Sequence, residues 1–129
     1  MKKLKIYSII SNYDNETTTY ETIADYDEEN NIFKYNEDDL KVTIEVFDDK
    51  VTISRKNDDY SLELEFVEQE KVNCNYEVKS LGLFLDIEVY TKVLEISENI
   101  IYIEYELFNN NKSIGTFEYK LMFMEELWI

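Results

Sequence analysis

Arg55 is the only arginine of this 129-residue sequence, and its setting gives it a defined orientation. It ends the segment VTIEVFDDKVTISR, in which apolar and polar residues alternate on both sides of a short acidic turn. Because Arg55 is in phase with Val51 and Ile53, we expect its side chain to point inward near the end of a hairpin. An inward guanidinium needs a partner, since an unpaired buried charge costs several kcal/mol. The pattern predicts either a structural ion pair or a site for a carboxylate or phosphate ligand.

Other reactive side chains are few. The sequence contains no histidine, so catalysis by Cys-His or Ser-His-Asp groups and zinc sites that need histidine cannot be built from this chain. The single cysteine, Cys74, lies in the strand-like segment VNCNYEV, where a lone cysteine is typical of packing. Paired carboxylates can hydrolyse glycosides, but among 29 acidic residues such pairs are unavoidable. We predict no enzymatic activity and no cofactor.

The acidic segment DYDEENNIF has the alternation of a calcium-binding loop, with Asp25, Asp27 and Glu29 at every second position. Such a loop also needs glycine at its sixth position and a bidentate glutamate at its twelfth. Those positions hold Asn30 and Asn36. We therefore predict a turn between strands and no metal site.

Composition indicates one compact domain over residues 1–129, since apolar residues make up 44% and aromatic residues 15% of the chain. The net charge of −16 repels phosphate backbones and anionic headgroups, so we expect neither nucleic acid nor membrane as a partner. No segment approaches the roughly 18 apolar residues of a membrane span. The N-terminal apolar stretch is too interrupted for a secretory signal. We predict a cytoplasmic protein.

Alternation of apolar and polar residues recurs along the chain and predicts about nine or ten short strands. Two examples are LFLDIEVYTKVLEI, with Leu85 through Val93 at odd positions on one face, and IIYIEYEL. Many short antiparallel strands hide their edges best in a closed barrel, so we predict an all-β fold, a single antiparallel β-barrel of about 8–10 strands. Six aromatic residues are expected to pack in its core or, alternatively, to form a cofactor or ligand box: Tyr35, Tyr76, Phe84, Tyr105, Phe117 and Tyr119. The tail KLMFMEELWI is ambiguous between strand and helix, and its residues Met122, Met124, Trp128 and Ile129 leave a monomer or a homodimer open.

Four segments in order, IFKYNED, VTIEVFDDKVTISRKND, NYEVKSLGLFLDIEVYTKVLEI and IEYELFNNNKSIGTFEY, resemble the YwiB-like family of small bacterial proteins, domain of unknown function 1934. The matching positions are Tyr35, Glu37, Arg55, Tyr76, Gly82, Phe84, Thr91, Tyr105 and Leu107. The sequence departs from the family pattern after Arg55, where Lys56 stands in place of the usual glycine. The resemblance implies a calycin-like, lipocalin-related barrel and no known activity.

Glu37, from the segment IFKYNED, is the expected partner of Arg55, through a bidentate contact between its carboxylate and the guanidinium. In one interpretation this pair closes an end of the barrel. In the other, Arg55 binds an anionic group of a small, partly apolar ligand, in a pocket formed with Tyr35, Glu37, Tyr76 and Tyr105.

A competing hypothesis makes the protein a non-catalytic interaction module whose acidic surface binds a basic protein partner or mimics nucleic acid. The arrangement of the outward glutamates distinguishes this interaction module from a ligand-binding barrel. These residues are Glu45, Glu63, Glu65, Glu104 and Glu106. Spread around a barrel they would serve solubility, and clustered in a stripe they would form a partner surface.

Overall fold

The computed structural model describes residues 2–12, 14 and 16–125, which form ten β-strands and one turn of 3-10 helix, Lys79–Leu81. The strands are β1 Lys2–Asn12, β2 Thr17–Asp27, β3 Ile32–Glu37, β4 Leu40–Val46, β5 Val51–Lys56, β6 Tyr60–Phe66, β7 Lys71–Val78, β8 Leu83–Ile96, β9 Ile100–Asn109 and β10 Lys112–Glu125. In this part of the chain, no helix has the length and apolar character to span a membrane.

Each strand pairs antiparallel with its neighbours in the chain, and β1 pairs with β10 to close the barrel. The predicted all-β antiparallel barrel is therefore confirmed, with ten strands. Because the first and last strands pair, the sheet formed by the described residues has no free edge strand. This up-and-down order is also that of lipocalin barrels, which have eight strands.

Alternation along the strands sorts side chains between core and surface. The buried core includes Ile6 on β1, Ile44 on β4, Val89 on β8 and Leu121 on β10, all fully or almost fully shielded. On every strand for which we predicted an inward face, except β8, the buried residues are those that the alternation of apolar and polar residues predicts.

On β8 the prediction that Val93 continues the inward face is wrong. The pairing with β9 shifts between Thr91 and Val93, so that Thr91 faces Tyr105 but Leu94, not Val93, faces Ile103. A bulge inserts one residue into one strand and reverses the phase beyond it. Leu94 accordingly packs against the core.

Aromatic rings fill much of the interior. Phe66 and Tyr105 meet edge to face with centroids 4.8 Å apart, and Phe33 contacts Phe123 at 4.9 Å. The prediction that Phe84 belongs to this core is wrong, because its side chain is 72% exposed. It occupies an outward position of β8, at the tip of the β7–β8 hairpin, beyond Glu88, where the pairing with β9 begins.

The barrel wall is irregular between β6 and β7. Their pairing runs only from Tyr60–Val78 to Glu63–Asn75, after which the strands separate. There the Glu65 backbone N–H donates to the Cys74 sulfur at 3.3 Å, so the buried thiol substitutes for a strand carbonyl. As predicted, Cys74 is a packed residue.

The two ends of the barrel differ in their connections. At one end, which we call the mouth, the odd-numbered strands finish and five turns connect them to the even-numbered strands. One of these is the two-residue turn Asn110–Asn111, where both residues have positive φ, the geometry of a type I′ hairpin. Arg55 and Glu37 lie at this end, each within the last two residues of its strand.

Candidate functional site at the barrel mouth

The guanidinium of Arg55 faces the carboxylate of Glu37 at the mouth. Register explains the contact: Tyr35 on β3 pairs with Val42 on β4, which pairs with Arg55 on β5. Glu37 lies two residues beyond Tyr35 on the same inward face, so it reaches Arg55 from the next-but-one strand. The distance from Arg55 Nη1 to Glu37 Oε2 is 3.0 Å, and the two side chains are 18% and 14% exposed. The predicted pairing is confirmed.

The contact is not the bidentate pair that we expected. Only Nη1 of Arg55 donates to Glu37, and the other carboxylate oxygen, Oε1, lies 3.4 Å from the hydroxyl of Tyr35. A guanidinium carries five N–H groups. Within the described residues the Arg55 side chain makes a single hydrogen bond, which leaves four donors for another acceptor.

Three tyrosines surround this ion pair. Burial raises the pKa values of Tyr105 and Tyr119 to about 12 and raises that of Tyr35 further. Burial lowers the pKa of Arg55 and the negative charge of Glu37 raises it, and this pKa lies above its ordinary value. At neutral pH the site therefore holds one positive charge, one negative charge and three protonated hydroxyls.

The hydroxyl of Tyr119 is a buried polar group without a hydrogen-bond partner among the described residues. Its neighbour is the Tyr35 hydroxyl, which is close enough for a weak hydrogen bond but is not aligned for a well-formed one. A buried donor that lacks an acceptor costs about 1–3 kcal/mol, which makes this position unusual in a folded protein. We call Tyr35, Glu37, Arg55, Tyr105 and Tyr119 the mouth cluster.

An apolar wall continues from Arg55 along the barrel. Arg55 pairs with Leu62, Leu62 with Tyr76 and Tyr76 with Leu85, so these residues form one row across four strands. Tyr60, on the inward face of β6, stacks on Tyr76 with parallel rings and centroids 5.9 Å apart. We call Tyr60, Leu62, Tyr76 and Leu85 the apolar wall. None of the four is fully buried.

Side-chain hydrogen bonds hold two turns of the mouth in place. The Tyr20 hydroxyl donates to the carbonyl of Asn36 at 3.0 Å and accepts from the N–H of Asp38, which fixes the turn after Glu37. The Asn57 side chain caps the next turn by accepting the N–H groups of Asp59 and Tyr60, both at 2.8 Å. These polar side chains give the two turns a defined conformation.

The structure brings together Arg55, Glu37, Tyr35 and Tyr105 from the predicted set. Tyr76 lies two strands away from Arg55, in the apolar wall. Sequence reasoning placed Tyr119 in an aromatic set, as core or as a ligand box, but not beside Arg55, and it missed Tyr60. Tyr60 is in phase with Leu62, Leu64 and Phe66 and directly follows the turn after Arg55, so extending the β6 alternation by one step would have found it. A ligand-binding role for the five predicted residues stays a prediction.

The outward glutamates fall into two groups. Glu45, Glu63 and Glu65 belong to β4 and β6 and border a depression of about 510 Å³ on the outer wall, whereas Glu104 and Glu106 belong to β9. Lysines accompany several of them, with ion pairs Lys50–Glu65 at 2.9 Å and Lys56–Glu63 at 3.1 Å. A role of these glutamates in solubility or in partner binding stays a prediction.

In the acidic segment the carboxylate of Asp27 accepts hydrogen bonds from the backbone N–H of Glu29 and from Asn30, as in an ordinary Asx turn. Of the residues described, no three acidic or cysteine side chains are grouped as metal ligands. Trp128 and Ile129 lie outside the described residues, and Met122 and Met124 belong to β10.

Comparison with known proteins bears on the fold and the family. The crystal structure of the YwiB protein from Bacillus subtilis matches with a TM-score of 0.70 at 16% sequence identity, covering 97% of this chain and 91% of that one. A search among curated proteins gave no match. The sequence model for a domain of unknown function, DUF1934, matches residues 4–121. This span contains the whole mouth cluster and the apolar wall, and the chain belongs to the DUF1934 family.

Proposed function

We propose that the protein binds a small, partly apolar ligand at the barrel mouth, through a carboxylate that contacts Arg55. One observation carries this proposal: a guanidinium that is only 18% exposed donates a single hydrogen bond in the described part of the chain. A structural ion pair in that setting is expected to use more of its donors, since buried polar groups are normally satisfied. Four N–H groups in a fixed plane suit a carboxylate, which accepts two of them at once.

The tyrosines support the same proposal. Tyr119 is protonated at neutral pH and has no acceptor among the described residues, so its hydroxyl is available to a ligand oxygen. Tyr105 lies close enough to Arg55 for their charges to interact. Because Phe33, Phe66 and other rings occupy the interior, the ligand is proposed to lie above them in the mouth, with its apolar part against the apolar wall. The proposal retains the predicted cytoplasmic location.

Native mass spectrometry of gently purified protein tests the proposal directly. We expect an added mass of a few hundred daltons or less on the 15.5 kDa chain, lost on denaturation. The same spectrum distinguishes monomer from homodimer, and we propose a monomer. In Arg55→Gln the added mass should disappear.

The matched control is Lys56→Gln, which removes one positive charge from the adjacent residue. Lys56 is exposed and pairs with Glu63 on the outside of the barrel, so its loss should leave the added mass unchanged. Circular dichroism of both variants checks that they fold. If the wild-type protein carries no added mass and gains no thermal stability from any carboxylate in a small-molecule library, the proposal is wrong and the ion pair is structural.

A further inference from the structure

We propose that the ligand of the mouth is a zwitterion, a molecule with both a carboxylate and an ammonium group, and not a net anion. This inference rests on the proposed function and narrows its ligand class. Its simplest form is an α-amino acid with an apolar side chain. Three features of the mouth support it: the opposite charges of Arg55 and Glu37, the acidic turns and the apolar wall.

The ion pair offers two complementary charges at one place. A carboxylate approaching Arg55 comes close to Glu37, because Oε2 of Glu37 lies 3.0 Å from Nη1. For a net anion this proximity is repulsive. A zwitterion avoids that repulsion by placing its carboxylate on Arg55 and its ammonium on Glu37. Glu37 can accept it, since its carboxylate has about four lone-pair sites and receives two hydrogen bonds, one of them long at 3.4 Å.

The charges on the turns of the mouth also favour a zwitterion over a net anion. Their acidic residues are Asp14, Glu16, Asp38, Asp39, Asp58 and Asp59, and Lys79 is the lysine among them. Together with the net charge of −16, these carboxylates produce a negative potential at the entrance. A net anion is repelled by it, whereas the ammonium group of a zwitterion is attracted.

The apolar wall offers a surface for the apolar part of the ligand. Leu62 and Tyr76 lie one and two strands from Arg55, with backbone separations of roughly 5 and 10 Å. Tyr60 is close enough to Arg55 for its pKa to respond to the guanidinium charge, so a molecule held at Arg55 by its carboxylate has this wall beside it. The stacked rings of Tyr60 and Tyr76 suit an apolar or aromatic group.

Two triads of probes, matched in shape and differing in charge, test the inference. The first consists of L-phenylalanine, 3-phenylpropanoate and 2-phenylethylammonium. The second consists of L-leucine, 4-methylpentanoate and 3-methylbutylammonium. Isothermal titration calorimetry at low salt should show that the amino acid of at least one triad binds about tenfold more tightly than either single-charge analogue, the usual size of one added charge contact.

Glu37→Gln should reverse this preference, because it removes the repulsion of the anion and the partner of the ammonium group. We expect weaker binding of the amino acid and stronger binding of the matched carboxylate. Glu63→Gln, on the outside of the barrel, is the control and should change neither. Should Glu37→Gln fail to fold, Asp58→Asn is an exposed alternative, expected to raise the affinity for the carboxylate about twofold at low salt.

The outcomes separate the two proposals. A carboxylate that binds the wild-type protein as tightly as its amino acid overturns the zwitterion inference and leaves the proposed function standing. Binding of the ammonium analogue alone, unaffected by Arg55→Gln, overturns both. If no probe of either triad binds, the inference is wrong, and the native mass spectrum then decides the proposed function independently.

Discussion

Arg55 and Glu37 meet across an intervening strand, with 3.0 Å between Nη1 and Oε2, although they lie 18 residues apart in the chain. Both are registered against β4, which carries Val42 opposite Tyr35 on one side and opposite Arg55 on the other. The pair therefore ties β3 to β5 over the top of β4. This places opposite charges in a partly buried setting beside aromatic residues.

Removing one member of this pair should destabilise the protein more than removing both. Glu37→Gln leaves the Arg55 charge without its partner, and we expect the free energy of unfolding to fall by about 2 kcal/mol, below the 3–5 kcal/mol of a fully buried pair. The double variant with Arg55→Gln should recover much of that loss. Urea denaturation of the wild type, both single variants and the double variant measures the coupling.

The control for this double-mutant cycle is a second cycle on the outward pair Lys56–Glu63, whose side chains are 51% and 65% exposed. Its coupling energy should be below about 1 kcal/mol, as for other surface ion pairs. Equal coupling energies for the two pairs would contradict a special role for Arg55 and Glu37 in stability.

Tyr119→Phe should stabilise the protein in the absence of ligand. The substitution removes a buried hydroxyl that has no partner in the described part of the chain, so we expect the free energy of unfolding to rise by about 1 kcal/mol. Tyr35→Phe is the matched control, because the Tyr35 hydroxyl donates to Glu37 and its loss should destabilise. Thermal and urea unfolding compare the two. A destabilised Tyr119→Phe would show that this hydroxyl has a partner such as an internal water molecule.

The sequence predicted the fold class and the ion pair because both depend on strand alternation, which has a fixed period of two. The phase of Arg55 with Val51 and Ile53 was enough to place it inside. Alternation failed at Val93 because a bulge is a feature of pairing between strands, and the sequence of β8 alone does not show it. Phe84 was misplaced although its even position is out of phase with Leu85 and Ile87, so the same alternation already places its side chain outside.

The geometry of the mouth cluster was beyond sequence reasoning. Arg55 contacts one oxygen of Glu37 in place of two, and the other oxygen lies 3.4 Å from the Tyr35 hydroxyl. The position of Tyr119 beside this pair depends on the strand tilt and register of the closed barrel. Neither property is encoded in the spacing of residues along one strand.

Cys74 should react with thiol reagents only when the barrel opens. Its side chain is buried, burial raises the pKa of its thiol, and the sulfur accepts a hydrogen bond from the N–H of Glu65. Since the thiolate is the reactive form, we expect labelling by Ellman's reagent to be at least a hundredfold slower in the native protein than in urea. Fast labelling under native conditions would mean that the separation of β6 and β7 exposes the sulfur.

High pH should unfold the protein through its buried tyrosines. Tyr105 and Tyr119 have pKa values of about 12, against 10.0 for an exposed tyrosine, because burial disfavours the phenolate. Between pH 10 and 12 the folded state therefore binds more protons than the unfolded state, so stability is complete below pH 10 and falls as the pH rises. A difference of about two pKa units corresponds to roughly 2.7 kcal/mol for each tyrosine.

Urea denaturation at several pH values from 9 to 12 measures the loss of stability, and absorbance at 295 nm follows phenolate formation. Tyr105→Phe removes one contribution, so its stability should decline less steeply than that of the wild type over this range. Parallel curves for the two proteins would show that Tyr105 titrates as it does in the unfolded chain.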